Sequence, residues 1–232
     1  MELYRVNIKN FEDPLENQKL LELVDSKRKN KVVRYRMPDD RKRSLGAGIL
    51  IKKILNENGL SESSLKYSEN EKPFADNLFF NISHSGDYVV GVVSDCDVGC
   101  DIERISGAPL EVAEHYFCPG ELAYIKNAKN KDKVFFTLWT LKESYMKMTG
   151  RGMSLSLDSF EIVPRAGGFT IGNPPENHCF FKTVEFEDYV FSICNENKFT
   201  LSQTCFYDLS KEGDKYVFLK GQRGECRTAK RA

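Results

Sequence analysis

Apolar residues change their spacing three times along the chain, and each change marks a change of element. In the first sixty residues the spacing is helical. Leu15, Leu20, Leu21, Leu23 and Val24 follow Pro14, a residue suited to a first helical position. A second helix runs through Leu45, Ile49, Leu50, Ile54 and Leu55, with Asp39 or Asp40 as its cap and Gly59 as its stop. Strand-like runs follow at Phe79 to Ser83, Tyr88 to Val93 and Val98 to Ile102. Between the last two, Ser94-Asp95-Cys96-Asp97 predicts a hairpin connection. Helical spacing returns at Pro109 to Phe117, Pro119 to Asn127 and Asp132 to Met148, the last closed by Gly150. Strands fill the remainder: Phe160 to Val163, His178 to Phe186, Tyr189 to Cys194 and Thr200 to Tyr207.

The chain echoes itself. Phe79-Phe80 followed by Asp87-Tyr88-Val89 returns as Phe180-Phe181 followed by Asp188-Tyr189-Val190, at a constant offset of 101 residues. In both places helices precede sheet strands. The fold class expected is therefore α+β, as two similar α/β halves related by a pseudo-two-fold, with a ligand in the cleft between them.

Composition narrows the function. Hydrophobic residues make up 41 % and charged residues 29 %, which suits a globular protein. The 34 basic and 34 acidic residues cancel, so a nucleic-acid scaffold, which leaves a basic excess, is disfavoured. No run approaches the ~20 apolar residues of a membrane span, and the start Met1-Glu2-Leu3-Tyr4-Arg5 does not read as a secretory signal. The seven cysteines are odd in number and scattered, without the paired spacing of a zinc site. A reducing cytoplasm fits them.

Four groups of residues could carry chemistry. Asp101 and Glu103 lie two apart on a strand, so both carboxylates share one face while Val98, Cys100 and Ile102 take the other. Adjacent acids repel unless a cation lies between them, and Mg²⁺ suits such a pair; taken alone, a solvated strand face explains a D-x-E more often. On the helix from Asp132 to Met148, the stripe Val134, Leu138, Leu141, Tyr145 and Met148 is the buried one. Trp139, Glu143 and Lys147 then stack along the opposite side, which places the only tryptophan in a groove filled by a ligand or by the other half. His84, in Asn81-Ile82-Ser83-His84-Ser85, stands where a strand ends in a polar loop, and reads as a phosphate ligand, an acid/base or a structural histidine. The basic run from Lys27 to Arg43 is either an anion cradle or an exposed helix face.

Taken in order, three strings resemble the surfactin-synthetase-activating (Sfp-like) type of 4′-phosphopantetheinyl transferase: Asn81 to Ser85, Gly99 to Glu103, and Trp139-Thr140-Leu141-Lys142-Glu143-Ser144-Tyr145-Met146-Lys147. Arg151-Gly152-Met153-Ser154-Leu155, Lys27 to Lys31, Arg43 to Gly46 and Lys72-Pro73 fit as well, and the resemblance covers roughly residues 1 to 207. It implies a Mg²⁺-dependent enzyme that moves the phosphopantetheine arm of coenzyme A onto a serine of an apo acyl or peptidyl carrier protein, releasing 3′,5′-ADP. By the same resemblance Asp101, Glu103 and Glu143 are the metal-binding carboxylates. Lys147 offsets charge on the leaving group, and either Glu143 or a metal-bound water is the base. Lys27, Lys31, Arg43 and His84 cradle the nucleotide phosphates, with Ser83, Lys72 and Pro73 near the adenosine. The implied division is 1–104 for the first half and 105–210 for the second, with 211–232 an unassigned basic tail. A monomer is expected, since one chain already forms the cleft. A metal-dependent phosphohydrolase would use the same three carboxylates, whereas a non-catalytic module holding coenzyme A or a carrier protein would be marked by the loss of one of them, and Asp101, Glu103 and Glu143 are all present.

Overall fold

The computed structural model describes residues 1–69, 72–172 and 178–200, together with the backbone of two strands at 205–212 and 215–220. In chain order the elements are β1 (Glu2–Asn7), α1 (Gln18–Leu21), α2 (Ser26–Arg34), α3 (Pro38–Glu57), β2 (Lys66–Tyr67), β3 (Pro73–Phe74), β4 (Phe79–Ser85), β5 (Tyr88–Ser94) and β6 (Val98–Arg104). Then follow α4 (Leu110–Tyr116), α5 (Pro119–Asn127), α6 (Lys131–Thr149), β7 (Glu161–Arg165), β8 (Gly168–Gly172), β9 (Phe180–Phe186), β10 (Tyr189–Asn195), β11 (Cys205–Glu212) and β12 (Lys215–Lys220). No helix among the described residues is long and apolar enough to cross a membrane.

Two sheets carry the fold, one ordered β12-β11-β1-β5-β4 and the other β6-β10-β9. Strict alternation gives each strand two destinations. In β5, Val89 and Val93 pack under α3, while Tyr88, Val90 and Val92 meet the second sheet. In β6, Val98, Cys100 and Ile102 join that same inter-sheet core. Behind the second sheet lies α6, whose Leu138, Leu141, Tyr145 and Met148 are buried with Phe181 and Cys194. The layers therefore run helix, sheet, sheet, helix.

The repeat seen as a sequence echo is a repeat of structure. Hairpin β4–β5 pairs Phe79 with Ser94, and β9–β10 pairs Phe180 with Asn195, in the same register 101 residues on. The third strand repeats at an offset of 97: Leu3 faces Val92 as Cys100 faces Ile193. Ile8 N donates to Asp87 O at 2.8 Å, and its counterpart Ile105 N to Asp188 O at 2.6 Å. At the pseudo-dyad the equivalent tyrosines Tyr88 and Tyr189 meet edge to face at 4.9 Å. Each also reaches the other half's turn: Tyr88 OH donates to Glu187 Oε1 at 2.9 Å, and Asp87 N donates to Tyr189 OH at 2.9 Å. Gly86 turns there at φ +52, and a Cβ on it would overlap the Tyr189 hydroxyl.

Several expectations need correction. The first sixty residues are not all helical: Glu2–Asn7 is a strand, buried between β5 and β11. The helix expected after Pro14 shrinks to four residues, and the basic run forms α2 instead. Asp39 and Asp40 sit in the first turn of α3, after Pro38, and do not cap it. Residues 94–97 are not a hairpin. The neighbours of β5 are β1 and β4, so β6 finds no free edge there and pairs with β10 in the other sheet. Trp139 fills no ligand groove: it stacks on Phe117 and Phe135 at 6.2 and 5.9 Å, because α4 and α5 cover that end of α6. Within the stretch read as a basic tail, residues 211–212 and 215–220 lie in a two-stranded extension of the first sheet, while 221–232 are outside the described residues, as are 201–204 of the strand expected at 200–207.

One buried ion pair fixes α6 from behind. Lys142 Nζ lies 2.8 Å from Glu121 Oε1 with both side chains wholly enclosed, and donates to the carbonyls of Leu157 and Phe160 at 2.7 and 2.5 Å. Glu121 in turn accepts from Cys118 N and Ile162 N at 2.8 and 2.7 Å. A pair so fully satisfied is costly to break from one side, since the surviving charge stays buried. Lys142→Met is expected to lose about 3–5 kcal/mol of stability, read as the shift in urea unfolding at pH 7.

Candidate active site

The site begins with a glycine. On β6, Gly99, Asp101 and Glu103 point away from the inter-sheet core and toward α6. A Cβ at position 99 would overlap the carbonyl oxygen of Ser144 and the amide nitrogen of Met148. Only glycine lets the α6 backbone lie directly on the strand. That contact brings Glu143 and Lys147, one turn apart on α6, alongside the β6 carboxylates.

The polar contacts are short. Lys147 Nζ donates to Asp101 Oδ1 at 2.6 Å and to Ser83 Oγ at 3.0 Å, and Ser83 Oγ donates to the same Asp101 oxygen at 2.7 Å. Asp101 is 4 % exposed, and its Oδ2 is buried without a hydrogen-bond partner. Ser85 Oγ donates to Glu103 Oε2 at 2.7 Å. Lys72 Nζ donates to the carbonyl of Lys147 at 2.6 Å. Glu143 has no hydrogen-bond partner among the described residues.

The electrostatics are those of crowded anions. Burial first, then the Asp101 and Glu143 charges, push the Glu103 carboxyl up to about 7, against the opposing pull of Ser85 and Lys147. Glu143 is raised by burial and by Asp101, with Lys147 opposing. Burial works against the Lys147 ammonium, but Asp101 and its neighbours outweigh it and hold the group charged. Lys72 is lowered, chiefly by burial.

These donors fit Mg²⁺ in one particular way. Among the described residues no three His, Cys, Asp or Glu side chains close into a cage around an ion. Mg²⁺ rarely asks for one: it takes one or two carboxylates and completes its octahedron with water and substrate phosphates. An orphaned, buried carboxylate oxygen beside two raised carboxyls is the chemistry such an ion relieves.

A basic pocket adjoins this cleft, and β4 is the wall they share. Asn81, Ser83 and Ser85 turn toward β6, whereas Ile82 and His84 turn the other way, into a pocket bounded by α2, α3 and β3. Arg28 and Lys31 enter from α2, Arg43 from α3 and Pro73 from β3, with Tyr35 and Tyr67 as aromatic walls. Arg43 donates to Gly86 O at 3.0 Å and to Asp40 Oδ1 at 2.7 Å. Partial burial, then Lys147 and Arg43, lower the His84 imidazole, so it is neutral at pH 7.

Of the residues singled out in the sequence, Asp101, Glu103, Glu143, Lys147 and Ser83 gather in the cleft, and Lys72 lies behind Lys147. Lys31, Arg43, Pro73 and His84 line the pocket. Lys27 does not; it is exposed, with Nζ 4.4 Å over the Tyr67 ring. The lining cation is its neighbour Arg28, missed as a site residue, which is 9 % exposed and reaches Tyr67 OH at 3.4 Å. Helical phase held the signal: Val24, Arg28 and Val32 are four apart on one buried face. Gly48 makes room for it, since a Cβ there would come within 2.6 Å of Arg28 Cγ. Ser85 was also missed, and its only signal was the alternation with Ser83.

Comparison with known proteins points to one family. Residues 97–194 match the family model of the 4′-phosphopantetheinyl transferase superfamily, and residues 13–96 match that of the 4′-phosphopantetheinyl transferase N-terminal region. The chain is 32 % identical over 190 residues to the 4′-phosphopantetheinyl transferase ffp of Bacillus subtilis, covering 77 % of this chain and 85 % of that one. It is 36 % identical over 180 residues to the 4′-phosphopantetheinyl transferase gsp of Aneurinibacillus migulanus, covering 74 % and 76 %. Among solved structures, the holo-[acyl-carrier-protein] synthase of Thermotoga maritima aligns with a TM-score of 0.39 at 14 % identity, over 53 % of this chain and 84 % of that one.

Two outcomes follow from the geometry. Gly99→Ala forces backbone against backbone and is expected to cost about 1–3 kcal/mol, the range for overpacking, measured by urea unfolding. The second concerns pH. A carboxyl raised in the folded state makes the native protein bind a proton more tightly than the unfolded chain. In EDTA the thermal midpoint should therefore fall as pH rises from about 4.5 to about 7, and Glu103→Gln should flatten that fall.

Proposed function

This chain belongs to the 4′-phosphopantetheinyl transferase superfamily, with relatives of the Sfp-like kind, and from that premise we propose how its own residues divide the work. The enzyme moves the phosphopantetheine arm of coenzyme A onto a serine of a carrier protein. The observation that carries the division is the two-faced strand β4, with anion-binding side chains on one side and the carboxylate cleft on the other.

In this reading Arg28, Lys31, Arg43 and His84 hold the nucleotide phosphates of coenzyme A, with Tyr35, Tyr67 and Pro73 around the nucleoside. A bound phosphate would draw His84 back toward its charged form. Asp101, Glu103 and Glu143 would hold Mg²⁺, which when bound neutralises charge on the diphosphate. The serine oxygen attacks the β-phosphorus, a P–O bond to the carrier forms, and the P–O bond to 3′,5′-ADP breaks. Lys147, kept charged by Asp101, sits where it can offset the leaving phosphate. Glu143 accepts the serine proton. It is raised by burial, and no hydroxyl or ammonium among the described residues occupies its oxygens. Such base assistance typically contributes ~10²–10⁴ in rate. Lys72, bonded to the carbonyl of Lys147, supports that lysine from beneath, and Ser83 links it to Asp101.

We also propose the division into halves at 104/105, with β11 and β12 added to the first sheet; the acceptor as an apo acyl or peptidyl carrier protein; and a cytoplasmic monomer that binds neither nucleic acid nor membrane. The monomer reading is supported by one chain supplying both walls of the cleft. The hydrolase and binding-module readings are not favoured, since the matching family models and curated relatives are 4′-phosphopantetheinyl transferases.

The decisive experiment weighs an apo carrier protein by intact mass spectrometry after incubation with the enzyme, coenzyme A and Mg²⁺. A gain of one phosphopantetheine, abolished by EDTA and reduced at least ~100-fold by Glu143→Gln, is the expected result. No gain with several carriers, while coenzyme A is slowly hydrolysed, would overturn it.

A further inference from the structure

From Asn81 to Ser85, strand β4 turns a polar side chain toward β6 at every second position, and all three reach across to it. Asn81 Oδ1 accepts from Cys100 N at 2.9 Å, Ser83 Oγ donates to Asp101 Oδ1 at 2.7 Å, and Ser85 Oγ donates to Glu103 Oε2 at 2.7 Å. These two strands belong to different sheets. Side chains stand here where a backbone ladder would stand between neighbours in one sheet. Asn81 sets the register, and each serine then falls opposite one carboxylate.

Ser83 is shared with Lys147, but Ser85 serves Glu103 alone among the side chains. Its hydroxyl has one proton and accepting capacity besides. It gives the proton to Glu103 Oε2 and accepts from Arg104 N at 3.2 Å. The rotor is therefore held by the backbone of the strand that carries Glu103. One carboxylate oxygen is tied to that clamp, and a carboxylate with one oxygen fixed loses much of its freedom to swing away from the cleft.

We infer that Ser85 is a positioning residue for Glu103, setting how tightly the carboxylate cluster takes a divalent cation without touching the nucleotide pocket. This rests on the metal reading proposed above. Partners that orient a metal-binding group typically change affinity by 10–100-fold when removed, and the same scale is expected here.

The test is Mn²⁺ binding to the full chain by electron paramagnetic resonance, without coenzyme A or carrier, alongside coenzyme A binding in EDTA. Ser85→Ala should weaken Mn²⁺ about 10–100-fold and leave metal-free coenzyme A affinity unchanged, while Ser85→Thr restores the ion. Ser85→Cys, which keeps the volume but donates weakly, should move in the same direction and serves if the alanine variant fails to fold. On a Glu103→Ala background, adding Ser85→Ala should change Mn²⁺ affinity by less than about twofold, because the serine acts only through that carboxylate. Equal Mn²⁺ affinity in wild type, Ser85→Ala and Ser85→Cys would overturn the inference alone. So would an equal loss on the Glu103→Ala background, which would mean a merely structural hydroxyl. A wild-type chain that binds no Mn²⁺ would overturn the metal reading and this inference with it.

Discussion

The cleft exists because a helix lies directly on a strand. At Gly99 the backbone of α6 occupies the space a methyl group would need, and both ends of the chemistry depend on that contact. Asp101 and Glu103 come from the strand, and Glu143 and Lys147 from the helix. If the helix were lifted by one side chain's thickness, Lys147 could not stay within 2.6 Å of Asp101. The same helix is pinned from behind by the Lys142–Glu121 pair, one residue before Glu143 in sequence and about 100° round the helix from it. The buried charge of Lys142 holds the helix so that Glu143 and Lys147 can meet the β6 carboxylates in the cleft. Both residues lie in one turn, so the phase of that turn is fixed twice.

The pseudo-two-fold explains why the two halves do different work with the same frame. Equivalent hairpins carry equivalent registers, and Tyr88 and Tyr189 each hydrogen-bond to the other half's turn across the dyad. Side chains then break the symmetry. The first half has Ser83 and His84 on β4, where the second has Val184 and Glu185 on β9. Helices α2 and α3 turn Arg28, Lys31 and Arg43 toward the pocket, whereas strand β6 of the second sheet carries the acids. The basic pocket and the carboxylate cleft therefore lie on opposite sides of one strand.

Much of the fold was legible in the chain, and the failures share a cause. The long helices, the echoing hairpins and the D-x-E strand follow from local periodicity and were located to within a few residues. Strand β1 escaped because six residues with Leu3, Tyr4 and Val6 buried on both faces carry no alternation to read. The supposed hairpin at 94–97 has suitable turn residues, but β1 had already taken the edge β6 would have used. Trp139 shares a helix side with Glu143 and Lys147, yet α4 and α5 cover only its end of α6. Lys27 and Arg28 are equally basic neighbours, and only the helix phase against Val24 and Val32 turns one inward.

By itself the sequence determined the elements, the repeat and the set of reactive residue types, because these depend on contacts within a few positions along the chain. It also carried the ordered motifs by which the family is identified. What it left open was which side chains meet. Tertiary structure decided that Arg28 rather than Lys27 lines the pocket, that Ser85 grips Glu103, and that Lys72 sits under Lys147. Each of those contacts joins segments from 18 to 75 residues apart or depends on which face a neighbouring element covers. Local periodicity says only that a side chain faces inward; what it finds there is decided by the packing of the other half.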